Sequence, residues 1–289
     1  MIGFNVAGGG RGWSRQEVRD TVADYMSMLK CQLRGEEFIK TEHNKMLREK
    51  LHGRSASAVE YKHQNISAIL TELGYPYVIG YQPNYVNYQR LLKEVVTEYV
   101  DSDKELEQAM TKAARRTPAE QPEVGILSDL QVAPPVRRPK RQRRRRSSHS
   151  KGRPGTDYGA KERANRALGK QGEKWVLSLE RKKLLDAGCV DLSDQIEWVS
   201  DKRGDGEGYD ILSYDKYGNP LNIEVKTTNQ GKHFPFFITA NEVAASRELS
   251  ASFRVYRVFA FSSNPQYFVL KGAIEDNCNL RPLSFEASL

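Results

Sequence analysis

Cysteine is scarce in this chain. Three occur in 289 residues, Cys31, Cys189 and Cys278, and none forms a Cys-x-x-Cys pair. That spacing argues against a zinc ribbon and against a disulfide-stapled fold, and it fits a reducing cytoplasm. Long apolar runs are missing too: no stretch approaches the length a membrane-spanning helix needs, so no membrane partner is expected. The N-terminus lacks the apolar core of a signal peptide. Its Gly8-Gly9-Gly10-Arg11-Gly12 cluster follows no strand and precedes no Gly-Lys pair, so it reads as a flexible start, not a phosphate loop.

What the chain does have is positive charge in one place. The segment from Arg137 to Arg146 contains Arg137, Arg138, Lys140, Arg141, Arg143, Arg144, Arg145 and Arg146. The whole sequence holds 45 basic and 37 acidic residues, so without these eight it would be neutral. A run of this kind neutralises nucleic-acid phosphates without reading sequence. It could also merely keep a linker extended, or direct a eukaryotic protein to the nucleus. The surrounding segment, residues 106–158, is rich in Pro, Arg, Ser and Gln and has no sustained period, so it is expected to be a disordered linker.

The linker implies two folded parts. Residues 1–105 are expected to form an all-α module. Ser14-Arg15-Gln16-Glu17 fits a capping box, and Val18, Val22, Tyr25, Met26 and Leu29 follow at helical spacing. A second helix is expected over Glu42–Leu51. A third starts near Ser55 or Ser57 and stops at Gly74, and a fourth carries Leu91, Leu92, Val95, Val96 and Tyr99. Arg54, Lys62, His63 and Asn65 could form a polar surface for DNA, or a helix face packed on the Tyr-rich loop that follows. His63-Gln64-Asn65 lies inside a helical pattern, without the hairpin and second histidine of an HNH nuclease.

Residues 159–289 read as an α/β core, making the whole chain α+β. Residues 208–228 carry two short apolar runs flanking Gly218-Asn219-Pro220, which predicts a β-hairpin. Strand side chains alternate faces, so Leu221, Ile223 and Val225 share one face and Glu224 and Lys226 the other. Asp210, near the start of the first strand, falls within reach of that polar face. Two carboxylates can hold Mg²⁺, and a lysine beside them can steer a water and offset phosphate charge. On its own a Glu-x-Lys is more often a solvated strand edge. Further strands are expected over Phe234–Thr239, Phe253–Phe261 and Gln266–Leu270, with a short helix over Asn241–Glu248. Arg257, polar in an apolar strand, could meet a site carboxylate, a phosphate or a structural partner.

The assembly resembles the PD-(D/E)XK restriction-endonuclease-like superfamily. More closely, Gly208-Tyr209-Asp210-Ile211, Ile223-Glu224-Val225-Lys226-Thr227-Thr228, Phe236-Phe237-Ile238-Thr239 and Asn241-Glu242 resemble the NO VEIN C-terminal domain family. Tyr209 stands where the superfamily's name-giving proline would be. The resemblance implies a mixed sheet and a helix glutamate completing the metal site. A helix is expected from Ala160 to Leu185, with an apolar stripe of Leu168, Trp175, Val176 and Leu179. Gly172-Glu173-Lys174-Trp175-Val176 is the matching context, which favours Glu173, with Glu180 second. The N-terminal segments Trp13-Ser14, Lys62-His63-Gln64-Asn65-Ile66-Ser67-Ala68 and Gly80-Tyr81-Gln82-Pro83 resemble a helical module found ahead of nuclease domains in bacterial restriction-type proteins.

The resemblance therefore implies a Mg²⁺- or Mn²⁺-dependent deoxyribonuclease of the restriction or phage-defence kind. Asp210, Glu224 and Glu173 would hold the metal, Lys226 would orient the water, and DNA would be the partner, with a homodimer or a defence-system protein as a further one. The expected location is the cytoplasm, or the nucleus in a eukaryote. The alternative is an inactive nuclease fold that binds nucleic acid or bridges partners.

Overall fold

A computed structural model describes residues 12–51, 53–86, 88–137 and 165–282. The chain divides into two compact units, Met1–Met110 and Thr111–Leu289. Among the described residues no helix is long and apolar enough to cross a membrane.

Among the described residues the first unit is built of helices joined by loops. Helix α1 (Arg15–Arg34) opens on the expected capping box: Ser14 accepts from Glu17 N, and the Glu17 side chain accepts from Ser14 N. Helix α2 spans Lys40–Lys50. Helix α3 (Ala56–Leu73) is capped by Ser55 and ends at Gly74, whose φ of 80° is the left-handed turn that glycine adopts without a Cβ penalty. Helices α4 (Arg90–Ser102) and α5 (Lys104–Ala114) follow. The core is made by Val18, Val22, Tyr25, Met26 and Leu29 of α1 with Ile66, Ile69 and Leu70 of α3 and Val96 of α4, all fully buried.

The second unit is built on a five-stranded sheet. Its strands are β1 (Glu197–Trp198), β2 (Ile211–Tyr214), β3 (Pro220–Thr227), β4 (Phe253–Phe259) and β5 (Gln266–Lys271), in that spatial order. Only β3 and β4 run parallel; the other pairs are antiparallel, so the sheet is mixed as expected. Helix α6 spans Leu127–Leu130. Helix α7 (Arg166–Asp186) covers one face, and short helices α8 (Val190–Asp194) and α9 (Val199–Lys202) lead into β2. A parallel pair needs a crossover. The chain makes it through α10 (Ala240–Glu248), while α11 (Ile274–Asn277) follows β5.

The alternation of β3 decides what lies on each face. Ile211, Ile223, Val225, Tyr256, Val258 and Tyr267 pack under α7 against Leu168, Trp175, Val176 and Leu179. Trp175 is fully buried, edge-on to Phe261 and Tyr267, a burial worth about 3 kcal/mol. On the opposite face Phe253, Val255, Phe259, Phe268 and Leu270 pack with Ala245 of α10 and Ile274 of α11. Strand β4 is thus apolar on both faces because it lies between β3 and β5 and is covered on both sides.

Two expectations are corrected. Residues Phe234–Thr239 form no strand. Pro235 removes a donor, and both edges of β3 are already taken by β2 and β4. Phe236 and Ile238 still pack on the core from this irregular segment. The linker expected from residue 106 does not begin there, because α5 runs through that point with Leu106, Ala109, Met110 and Ala113 buried. Leu130 is buried too, and Gln131 pairs with Tyr267 as an isolated bridge. The rest of the expected linker, residues 138–158, lies outside the described residues, and with it Arg138, Lys140, Arg141, Arg143, Arg144, Arg145 and Arg146.

Candidate active site

Register places the acids. Ile211 pairs with Ile223, so Asp210, one residue earlier, lies opposite Glu224. Asp210 N donates to Ile223 O at 2.9 Å, and Val225 N donates to Asp210 Oδ2 at 2.7 Å. From its other side, Asp210 O accepts from Val199 N and Ser200 N. The Asp210 backbone is therefore fixed by β3 and by α9 together.

Glu224 and Lys226 point to the face opposite α7, as the strand alternation requires. Glu224 is buried, and Lys226 Nζ lies 2.6 Å from its Oε1. The same ammonium lies 2.9 Å from Glu242 Oε2 on α10. Burial first, then the neighbouring Glu173, pushes the Asp210 acid up to about 7. Burial and then Asp210 raise Glu224 well above the ordinary carboxylate range. Burial alone would pull the Lys226 ammonium down, but Glu224 and Glu242 outweigh it and hold its proton on. Three acids crowd one base, and this excess of negative charge is what a divalent cation would relieve.

Glu173 comes from α7, across the edge of the sheet. Its Oε2 accepts from Trp198 Nε1 at 2.7 Å and from Ser200 Oγ at 2.6 Å. It is near enough to Asp210 to raise that acid's pKa. The preceding Gly172 allows the approach: a Cβ there would collide with the Thr227 side chain of β3. Lys170 and Lys174 lie with their ammonium groups over the Trp198 ring, at 5.2 and 5.8 Å from its centroid.

Glu180, the second choice for the helix acid, is elsewhere. It is buried in a structural network, accepting from Ser213 Oγ, Lys183 Nζ and Tyr256 OH. Arg257 is buried and donates to the carbonyls of Lys226 and Phe234 at 3.1 and 3.3 Å. It braces the backbone behind Lys226. Trp198, Ser200 and Glu242 were not singled out as site residues from the sequence. For Glu242 a signal existed in the capping box Thr239-Ala240-Asn241-Glu242. For Trp198 and Ser200 none did.

The N-terminal polar residues resolve in favour of packing. Lys62, His63 and Asn65 are buried. Asn65 Nδ2 donates to Asn84 O at 2.7 Å, and the His63 ring lies 4.9 Å from that of Tyr81, so this face packs on the loop. Arg54 pairs with buried Glu17 at 2.9 Å and caps one face of Trp13. Arg137, the first residue of the basic run, donates Nη1 to Asp276 O at 2.6 Å.

Among the described residues no group of three or more His, Cys, Asp or Glu side chains forms a ready-made metal cage. Mg²⁺ does not need one, because it commonly binds through one or two carboxylates and keeps several waters. The pair Asp210 and Glu224, all oxygen and without a thiolate or imidazole, fits that ion better than zinc.

One comparison with known proteins finds a match over this part of the chain. Residues 172–270 match the family model described as "Protein NO VEIN, C-terminal". The matched segment is similar to that domain, and it contains Glu173, the hairpin, Glu242, β4 and all but the last residue of β5. No curated protein and no solved structure gives a significant match.

Proposed function

We propose that this protein is a Mg²⁺- or Mn²⁺-dependent DNA endonuclease of the restriction or phage-defence kind. The observation that carries the reading is the pairing of Asp210 with Glu224 across β2 and β3, with Lys226 on the same face. The match to the NO VEIN C-terminal model over this segment supports it. Held by Asp210 and Glu224, Mg²⁺ would acidify a bound water and offset charge growing on the phosphodiester. The chain's own groups supply the rest. Lys226 offers N–H donors to the attacking water or to a phosphate oxygen. Glu173, oriented by Trp198 and Ser200, assists the two acids or accepts a proton from the water. The net change is addition of water across one P–O ester bond, leaving one phosphate end and one hydroxyl end.

A second reading rests on one specific observation. The Lys226 ammonium lies 2.6 Å from Glu224 and already neutralises it without any added cation. A fold of this kind could bind nucleic acid or bridge partners without cutting. Incubation with plasmid DNA, modified and unmodified, separates the two. The nuclease reading expects nicking or linearisation with Mg²⁺ and none with EDTA. DNA retained on the protein but left intact in both Mg²⁺ and Mn²⁺ supports the binding module instead.

A further inference from the structure

We propose that Glu242 is a positioning residue that holds the Lys226 ammonium beside the Asp210–Glu224 pair. Its catalytic consequence rests on the nuclease reading above, but its geometry does not.

The observation is a shared oxygen. Glu242 Oε2 accepts from Thr239 N at 3.0 Å and lies 2.9 Å from Lys226 Nζ. Thr239 Oγ1 in turn accepts from Glu242 N at 3.2 Å, closing a capping box on α10. A capping-box glutamate is explained by the cap alone and needs no further partner. This one is turned inward, with its side chain 14 % exposed, and it binds the lysine of another element.

The helix that carries it is itself docked. Asn241 Nδ2 donates to Gly206 O at 3.0 Å. Gly208 has φ +75°, and a Cβ there would meet the Ala245 Cβ at 2.7 Å. The first turns of α10 thus rest on the loop that delivers Asp210. One short helix thereby fixes a base on β3 relative to an acid entering β2.

Lysine has a flexible four-carbon stem and three donors, so one partner does not fix it. With Glu224 alone, the ammonium would follow that carboxylate wherever it turned. Glu242 supplies a second anchor from a different element. When Glu224 is engaged by a cation, Glu242 is the partner that keeps Lys226 in place.

The test uses the full chain and three variants. Glu242→Gln keeps an acceptor for the cap but loses the charge. Thr239→Ala weakens the cap but keeps the charge. Glu242→Asp keeps the charge on a shorter arm. Lys226 acetylation by an amine-specific ester is followed by peptide mass spectrometry, with excess Mg²⁺ and with EDTA. Lys183, paired with Glu180, serves as the internal standard for an intact fold. In Glu242→Gln, Lys226 should react about tenfold faster, the scale of removing one charged hydrogen bond. Thr239→Ala should stay near wild type, and Glu242→Asp should recover part of the protection. Unchanged Lys226 reactivity in Glu242→Gln overturns the proposal. So does an equal rise in Thr239→Ala, because the cap and not the charge would then hold the lysine. A loss of Mg²⁺ affinity in Glu242→Gln by calorimetry also overturns it, making Glu242 a ligand. In a cleavage assay, Glu242→Gln should lower kcat and leave KM near wild type. If wild type cuts no DNA but the acetylation pattern holds, the nuclease reading fails and the positioning role stands.

Discussion

Val225 N donates to Asp210 Oδ2 at 2.7 Å, so a strand amide fixes the orientation of the first site acid. This bond favours the ionised form, but burial and the Glu173 charge outweigh it. Asp210→Asn keeps an acceptor for that amide and removes the negative charge. Its melting temperature should therefore stay within about 4 °C of wild type, the shift that 1 kcal/mol makes in a domain of this size. Mg²⁺-dependent cleavage should fall about a hundredfold or more, and calorimetric Mg²⁺ binding should weaken with it. Lys226→Ala should also lose cleavage, and stability too, since it leaves buried Glu224 and half-buried Glu242 without their cation. A Lys226→Ala protein that cuts at the wild-type rate removes the Glu-x-Lys assignment.

The acid pair should make the metal-free protein pH-sensitive in an unusual direction. Asp210 moves from an ordinary 3.8 up to about 7, through burial first and Glu173 second. Glu224 moves the same way. An acid with a higher folded than unfolded pKa binds more protons in the folded state between those values. Stability from this source is therefore present at low pH and lost as pH rises through that window. In EDTA the melting temperature should fall between about pH 4 and pH 7, and Mg²⁺ should offset the loss at the upper end. Asp210→Asn should flatten the profile. A slope unchanged in that variant places the titration elsewhere.

Local signals were legible in the sequence, and contacts between distant segments were not. The Ser14–Glu17 capping box and the Gly74 stop depend on a few neighbouring residues and stand as read, and of Ser55 and Ser57 it is Ser55 that caps the third helix. The β2–β3 hairpin is local too. Whether Phe234–Thr239 joins the sheet depends on which edges are free, and β4 had taken the edge of β3. Helix α5 had its own periodic signal in Leu106, Ala109, Met110 and Ala113, masked by the Pro- and Arg-rich composition that follows. Within the site, Asp210, Glu224 and Lys226 come together through hairpin register alone. Glu173 depends on where α7 crosses the sheet, and Glu242 on the length of the crossover. Neither is a property of a short window of sequence.

Gly172 tests the helix crossing directly. A Cβ there would collide with the Thr227 side chain, one residue before the site glutamate on α7. Gly172→Ala should gain about 1 kcal/mol of helix propensity but lose about 1–3 kcal/mol to overpacking. A net loss in chemical denaturation and a disproportionate loss of cleavage are expected, since Glu173 would be carried away from Asp210. The double variant Gly172→Ala with Thr227→Ala should recover part of both, since it removes the Thr227 Oγ1 and the Cγ2 at 2.9 Å from the added methyl but leaves the Cβ at 2.8 Å. Among the described residues Thr227 Oγ1 has no hydrogen-bond partner, so removing that oxygen costs little by itself. If Gly172→Ala alone behaves as wild type, α7 can shift without cost and its crossing does not set the site.

The arginine quartet offers a test that is independent of the hairpin. Arg137 is tied to the carbonyl of Asp276, so it is not the residue to change. Replacing Arg143, Arg144, Arg145 and Arg146 with Gln removes four charges from the run that accounts for the chain's net excess. DNA binding should weaken for all sequences alike, because phosphate contacts position a protein and base contacts specify it. The slope of log affinity against log salt should flatten by about 0.9 for each phosphate that the variant no longer neutralises. The preferred site, if there is one, should not change. Filter binding across a salt series measures both quantities at once. An unchanged slope would mean the run serves targeting or partner recruitment, and the case for DNA would then rest on Asp210, Glu224 and Lys226 alone.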